Sequence, residues 1–113
     1  MSKMENFVFI LKADPANWQG AARETTMRNF GQWARSLQEQ GSYKDCTKLD
    51  GRMGTATFRN GEMVVDGPYT ETKEIISGIF QITARDFNHA LGLARTCPMT
   101  KGEQVIVMPV EEF

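Results

Sequence analysis

The sequence predicts an α+β domain, and three observations carry the prediction. A continuous apolar run of β-forming residues at 7–11, and a second apolar run at 75–83 with Gly78 inside it, are typical of buried strands. Two other segments, one in each half of the chain, space their apolar residues three and four apart, as amphipathic helices do. Finally, Asn60-Gly61 lies between two β-rich runs. This dipeptide predicts a hairpin, because both turn residues tolerate positive φ.

The first half of the chain predicts a strand followed by a long helix. After the strand at 7–11, Asp14-Pro15 is typical of a helix start, and Gly20 limits that helix to about one turn. The main helix is predicted over residues 24–40, and Gly41 ends it with a positive φ. Its apolar stripe consists of Met27, Phe30, Trp33, Ala34 and Leu37.

The second half predicts an edge strand at 43–49, the hairpin arms at 55–59 and 62–65, and the buried strand at 75–83. Asp86 then caps a second helix, which Pro98 stops. The stripe of this helix consists of Phe87, Ala90, Leu91 and Ala94. Residues 105–110 form a last strand at an edge, since Pro109 cannot donate to a ladder. The order is the split βαβ, ferredoxin-like plan with an added β-hairpin.

Length and charge limit the function classes. The 113 residues suit one domain, 1–113, and the net charge is −1 with both signs interspersed. We therefore expect no nucleic-acid partner and no membrane partner. No apolar run is long enough for a signal peptide or a membrane span, so the expected location is cytoplasmic. Cys46 and Cys97 are expected to be free thiols, with a disulfide as the alternative, and we expect no metal and no cofactor.

The first strand also predicts a homodimer. Phe7, Phe9 and Leu11 point to one face of the sheet, and Val8 and Ile10 point to the other. The helices of this plan cover one face only. A second copy, packed sheet face against sheet face, would cover the exposed apolar face.

The densest group of functional side chains is in residues 64–74. Asp66-Gly67-Pro68 predicts a sharp turn, which is either a rigid connection or a device that aims Asp66 at a pocket. In the second interpretation Asp66 is a base or polar anchor. The predicted ligand-binding residues beside it are Gly67, Pro68, Tyr69, Glu71, Lys73 and Glu74. Elsewhere His89 is predicted to face solvent, and Trp33 is predicted to lie in the core.

These residues carry a resemblance to a family. The run from Val65 to Glu74, followed by Ser77-Gly78-Ile79-Phe80, resembles the signature of the DGPF branch of YCII-related proteins. Tyr69 stands where that branch has Phe. The stretches at 94–98 and 107–110 are also similar. The resemblance implies a dimeric α+β barrel. Proteins of this branch are often encoded near alternative sigma factors in bacteria, which implies a regulatory setting.

The resemblance leaves the activity open. The broader YCII group is thought to include enzymes that pair a His on the first helix with an Asp, but this sequence has no His before His89. Two hypotheses therefore remain. The first is a protein that binds a small molecule, with or without catalysis, between the helices, the sheet and the Asp66 loop. The second is a non-catalytic dimerisation or regulatory interaction module.

Overall fold

The computed structural model describes residues 3–68 and 74–111 and confirms the α+β prediction. The elements are β1 (Glu5–Ala13), the 3-10 helix η1 (Pro15–Trp18), α1 (Gly20–Glu39), β2 (Tyr43–Lys48), β3 (Thr55–Arg59), β4 (Glu62–Asp66), β5 (Ile75–Ala84), α2 (Phe87–Ala94) and β6 (Gln104–Pro109). Four strands form one antiparallel sheet in the order β2-β5-β1-β6, and β3 and β4 form a separate two-stranded sheet. The predicted element order and the two edge strands are confirmed.

Local sequence signals place the ends of these elements. The Asp14 side chain accepts a hydrogen bond from the Ala16 N–H at 3.0 Å and caps η1. The Asp86 carboxylate accepts from the His89 N–H at 2.7 Å and caps α2. Gly41 follows α1 with φ of 75°, as predicted. In the hairpin, Asn60 and Gly61 have φ of 49° and 84°, which confirms the predicted turn.

The core lies between the four-stranded sheet and the helices. Phe7, Phe9 and Leu11 of β1 are at most 2% exposed, and they alternate with half-buried residues on the opposite face. Trp33 of α1 packs against Phe80, with ring centroids 4.8 Å apart. The Trp33 Nε1–H donates to Thr96 Oγ1 at 2.9 Å, so the polar end of this buried ring is satisfied.

The structure corrects three details of the helices. α1 begins at Gly20 rather than at residue 24, because Gln19 is extended and separates the η1 turn from the helix. Met27, predicted in the stripe of α1, is 43% exposed at the rim of the packed layer. In α2 the buried residues are Ala90 and Leu93. The predicted stripe members Phe87 and Leu91 are 43% and 44% exposed, because this short helix turns only a narrow face to the sheet.

The β3–β4 hairpin stands apart from the core. Every residue of both strands is exposed, and Phe58, Met63 and Val65 are 69%, 58% and 78% exposed. A two-stranded ribbon of this kind is marginally stable by itself in water.

In the described parts of the chain, no helix is long and apolar enough to cross a membrane.

Candidate functional site

The predicted turn lies at the end of β4. Asp66, Gly67 and Pro68 are all exposed, and Gly67 adopts a φ of 119°, as expected for glycine in a sharp turn. A Cβ on Gly67 would stand 2.6 Å from the Cα of Gly54. Two backbones therefore touch at the base of the hairpin, and only glycine fits there.

The other predicted site residues divide into two groups. The Glu74 carboxylate forms an ion pair with Lys12 Nζ at 3.0 Å, and both side chains are partly exposed. This pair joins the start of β5 to the end of β1. Tyr69, Glu71 and Lys73 lie outside the described residues. Whether Asp66, Gly67 and Pro68 bind a ligand stays a prediction.

A cavity of about 190 Å³ lies elsewhere, between α1 and the β2 side of the sheet. Four aromatic residues line it: Trp18, Phe30, Tyr43 and Phe80. Their rings pack against one another, with centroids 5.6 Å apart for Trp18 and Phe30 and 6.2 Å apart for Tyr43 and Phe80. Asp66, Gly67 and Pro68 are not among the described residues that line this space.

A bulge in β5 forms part of the cavity floor. Leu11 pairs with Gly78 while Lys12 pairs with Ile76, so Ser77 is the extra residue. Ser77 is 4% exposed and lines the cavity, and its hydroxyl lies 3.5 Å from the Leu11 carbonyl oxygen. A Cβ on Gly78 would stand 3.1 Å from the Thr47 carbonyl oxygen, so glycine lets β2 approach closely.

The mouth of the cavity is formed by exposed residues. Met27, Gly31 and Lys48 line it and are exposed to solvent. Met27 and Gly31 are one helical turn apart, so they lie on the same face of α1. A Cβ on Gly31 would meet nothing within 4 Å, so this glycine leaves open space at the mouth.

Glu103 fixes the η1 side of the cavity. One carboxylate oxygen accepts from the Asp14 N–H at 2.8 Å and from Asn17 Nδ2 at 3.1 Å. The other accepts from the Thr100 N–H and hydroxyl, each at 2.8 Å. Burial alone would raise the pKa of Glu103, but these hydrogen bonds outweigh burial and lower that pKa. The carboxylate thereby ties the helix that carries Trp18 to the loop before β6.

Two ionisable groups of the cavity wall, Cys46 and Tyr43, have raised pKa values. Burial, followed by the nearby Asp45 carboxylate, raises the pKa of the Cys46 thiol. Burial, followed by Cys46 and Asp45, raises the pKa of Tyr43. Away from the cavity, burial and then Glu103 raise the pKa of Cys97 to about 12. Both cysteines are free thiols, as predicted, and the thiolate form needed for nucleophilic attack is disfavoured.

His89 has a structural partner. Its Nδ1 accepts a hydrogen bond from the Arg85 N–H at 3.0 Å, next to the Asp86 cap of α2. The ring is half-buried rather than fully turned to solvent as predicted, because it closes the start of the helix. Over residues 3–68 and 74–111, no three His, Cys, Asp or Glu side chains are grouped to hold a metal ion.

Sequence reasoning predicted a pocket between the helices, the sheet and the Asp66 loop, but none of its predicted ligand-binding residues is among the described residues that line this cavity, and it did not predict the Glu103 network. The cavity residues come from η1, α1 and three strands. Within its own element, the pattern of each of these residues predicts only that it is buried or exposed, not that it lines a cavity. Glu103 meets Asp14 across 89 residues. The available signals were Gly31, which weakens a helix without ending it, and Gly78 within an apolar strand.

Comparison with known proteins identifies the family. A model of the YCII-related domain family matches residues 6–113. An uncharacterized protein of Rhizobium meliloti (strain 1021) is 33% identical over 81 residues, which are 69% of this chain. This chain spans about 65% of the length of that curated relative. Together with the α+β fold, the family match shows that the chain belongs to the YCII-related domain family.

Proposed function

We propose that this YCII-related domain binds a small molecule in the cavity between α1 and the sheet. The observation that carries the proposal is an aromatic-lined space of about 190 Å³ with an open mouth. Apolar cavities of about 150 Å³ take up a molecule the size of benzene. The cavity is smaller than the roughly 300–1,000 Å³ of sites for drug-sized ligands. One ring, or a branched chain of similar size, fits it.

The chemistry of the wall supports reversible binding without a covalent step. The thiol of Cys46 is held protonated, and the hydroxyl of Ser77 lies beside a backbone carbonyl rather than a base. His89 belongs to the start of α2 and is not among the cavity residues. The acid–base pair thought to act in the broader group therefore has no counterpart in the described wall of this cavity.

A blocking variant tests the proposal. Gly31→Leu would place a side chain over the mouth, while Gly92→Leu makes the same change in α2, where a Cβ also meets nothing within 4 Å. The probe is 3-phenylpropionamide, a neutral molecule with one ring. Its binding is measured by calorimetry and by tryptophan fluorescence. We expect Gly31→Leu to abolish binding and Gly92→Leu to preserve it. Equal binding by both variants, or no binding by the unmodified protein, would refute the proposal.

The Asp66 turn is a second proposal with its own test. Its support is the close approach of the Gly67 and Gly54 backbones, which restricts the conformation of the turn next to Asp66. If Asp66 is a base or anchor, Asp66→Ala abolishes binding of the 3-phenylpropionamide probe while the protein stays folded. If the turn is only a connection, Asp66→Ala leaves binding of the probe unchanged.

We also propose that the protein is a homodimer through its sheet faces. On the face away from the helices, Val8 pairs with Met108, and Ile10 pairs with Ile106 and Ile79. Paired residues in neighbouring strands lie side by side on one face. These five side chains therefore form a continuous apolar patch, which a second copy of the same sheet would cover.

A matched pair of charge substitutions tests the dimer. Met108 is 49% exposed on this patch, and Leu91 is 44% exposed on the helical side. Met108→Lys is expected to shift the protein to a monomer in sedimentation equilibrium, and Leu91→Lys is expected to leave the dimer intact. A monomeric unmodified protein, or a dimer in both variants, contradicts this arrangement.

The remaining predictions rest on the resemblance described above and on composition. They are the DGPF branch, the regulatory setting near sigma factors and the cytoplasmic location. A regulatory interaction module is the alternative to a ligand-binding protein. It gains support if the dimer forms while no probe enters the cavity.

A further inference from the structure

We propose that the ligand is a small apolar monoanion, an aryl or branched alkyl carboxylic acid, whose head group lies between Lys48 and Arg23. The hydrocarbon part would occupy the aromatic cavity, and the carboxylate would lie just outside it. This inference rests on the proposed binding function and adds the charge and orientation of the ligand.

The first support is the position of a second hollow beside the cavity. This space of about 290 Å³ is lined by Trp18, Arg23, Lys48, Leu49, Asp50 and Ile75. Trp18 and Lys48 line both spaces, so the two spaces meet at these residues. One space is walled by aromatic rings and the other carries charged groups. A molecule that fills both has an apolar end and a polar end.

The second support is the charge at this junction. Lys48 Nζ lies 3.5 Å from the Met27 sulfur and 5.8 Å from the centroid of the Trp18 ring. A thioether sulfur is a weak acceptor. The ion pairs seen within residues 3–68 and 74–111 do not include Lys48. The ammonium group therefore sits beside an apolar wall without a carboxylate partner among these residues.

The third support is the state of Asp50, the acidic residue of the second hollow. Both of its carboxylate oxygens are engaged by the Arg52 guanidinium, at 2.8 and 3.3 Å. The hydrogen bond from Arg52 lowers the pKa of Asp50, so the aspartate stays charged and paired. Asp50 is thus already neutralised by Arg52, and the positive charges of Arg23 and Lys48 stay available to an anion.

Trp18, which lines both spaces, also carries a donor that is unpaired within the described chain. Its Nε1–H is closed to water and meets no acceptor among the described residues. A buried donor in this state carries its full desolvation penalty. A ligand oxygen within hydrogen-bond distance of Nε1 would supply the missing acceptor.

The experiment compares two probes of nearly the same size and shape, anionic 3-phenylpropionate and neutral 3-phenylpropionamide, by calorimetry at neutral pH. We expect the acid to bind about tenfold more tightly than the amide, as a charge-assisted hydrogen bond allows. Lys48→Gln should abolish this preference, so that the acid and the amide bind the variant with about equal affinity. Lys44→Gln is the matched control, because Lys44 lies on the same strand and hydrogen-bonds Asn6 rather than lining the cavity. Raised salt should weaken binding of the acid alone.

The outcomes separate the two proposals. If the amide binds and Gly31→Leu blocks it, but the acid binds no more tightly, the charge inference is overturned and the binding function stands. If neither probe binds, both proposals fail. If Lys44→Gln reduces acid binding as much as Lys48→Gln, the preference reflects overall charge rather than a head-group site, and the inference is again overturned.

Discussion

The cavity region and the β3–β4 hairpin differ in how their apolar side chains are covered. Phe80 is 4% exposed between Trp33 and Tyr43, while Phe58 of the hairpin is 69% exposed. In the cavity region, packing places the side chains and leaves a space of defined size. In the hairpin, backbone contacts at its base place the turn, and the side chains have no cover within the described chain. A pocket needs packed walls, which favours the first region as the ligand site.

A pair of phenylalanine truncations gives the largest expected contrast. Phe80→Ala should lower the free energy of unfolding by about 3–5 kcal/mol, because it removes a buried ring. Phe58→Ala should change it by less than about 0.5 kcal/mol, as for an exposed residue. Urea denaturation measures both. A large loss for Phe58→Ala would show that the hairpin is covered in solution, as contact with a second copy could do.

Two glycines with positive φ test the contact at the base of the hairpin. Gly102 has φ of 87° and open space around a Cβ, so Gly102→Ala should cost about 1 kcal/mol from the backbone alone. Gly67→Ala adds a collision with the Gly54 backbone and should cost about 1–3 kcal/mol more. Thermal unfolding compares the two. Equal losses would mean that the turn shifts freely, and Asp66 would then lack a fixed direction.

The Glu103 network gives a smaller effect that depends on pH. Glu103→Gln should cost on the order of 1–2 kcal/mol at neutral pH, since charge-assisted hydrogen bonds are replaced by neutral ones. The folded-state pKa is lowered, so the stabilisation is complete above the unfolded value near 4.5 and is lost as pH falls through the folded value. Denaturation at pH 7 and at a series of pH values below 4.5 should therefore show the gap between variant and parent closing in acid. A constant gap would contradict the role of the charge.

The smallest expected effect has opposite signs on stability and binding. Gly31→Ala should raise the free energy of unfolding by about 1 kcal/mol through helix propensity, and Gly92→Ala should do the same in α2. Only Gly31→Ala should also weaken probe binding, because its methyl group lies at the cavity mouth. Chemical denaturation together with calorimetry separates the two effects. Unchanged binding would place the ligand elsewhere.

Sequence patterns predicted the fold well because the fold depends on local period and on turn chemistry. The alternation in β1, the Asn60-Gly61 turn and the Asp86 cap are each decided within a few residues. The prediction that Leu91 lies on the packing face of α2 was wrong. A helix of 8 residues has two apolar faces, and only contact with the sheet selects between them.

The candidate site was less predictable, because it depends on contacts between distant segments. The sequence drew attention to Asp66 through its turn residues, and the turn is present. The cavity instead joins Trp18, Phe30 and Phe80, which are far apart in the chain and ordinary as core residues. Three residues of the signature that carries the family resemblance line the cavity: Ser77, Gly78 and Phe80.

The bulge at Ser77 also bears on folding fidelity. Val8 and Ile10 are apolar like Phe7 and Phe9. A slip of β1 by one residue would therefore exchange one apolar face for the other, with little loss of hydrophobic free energy. Burial alone thus discriminates poorly between correct and slipped pairings of this strand. The bulge provides a second criterion, because Leu11 must meet Gly78 while Lys12 meets Ile76. A slipped strand loses this match and, with it, the ion pair between Lys12 and Glu74.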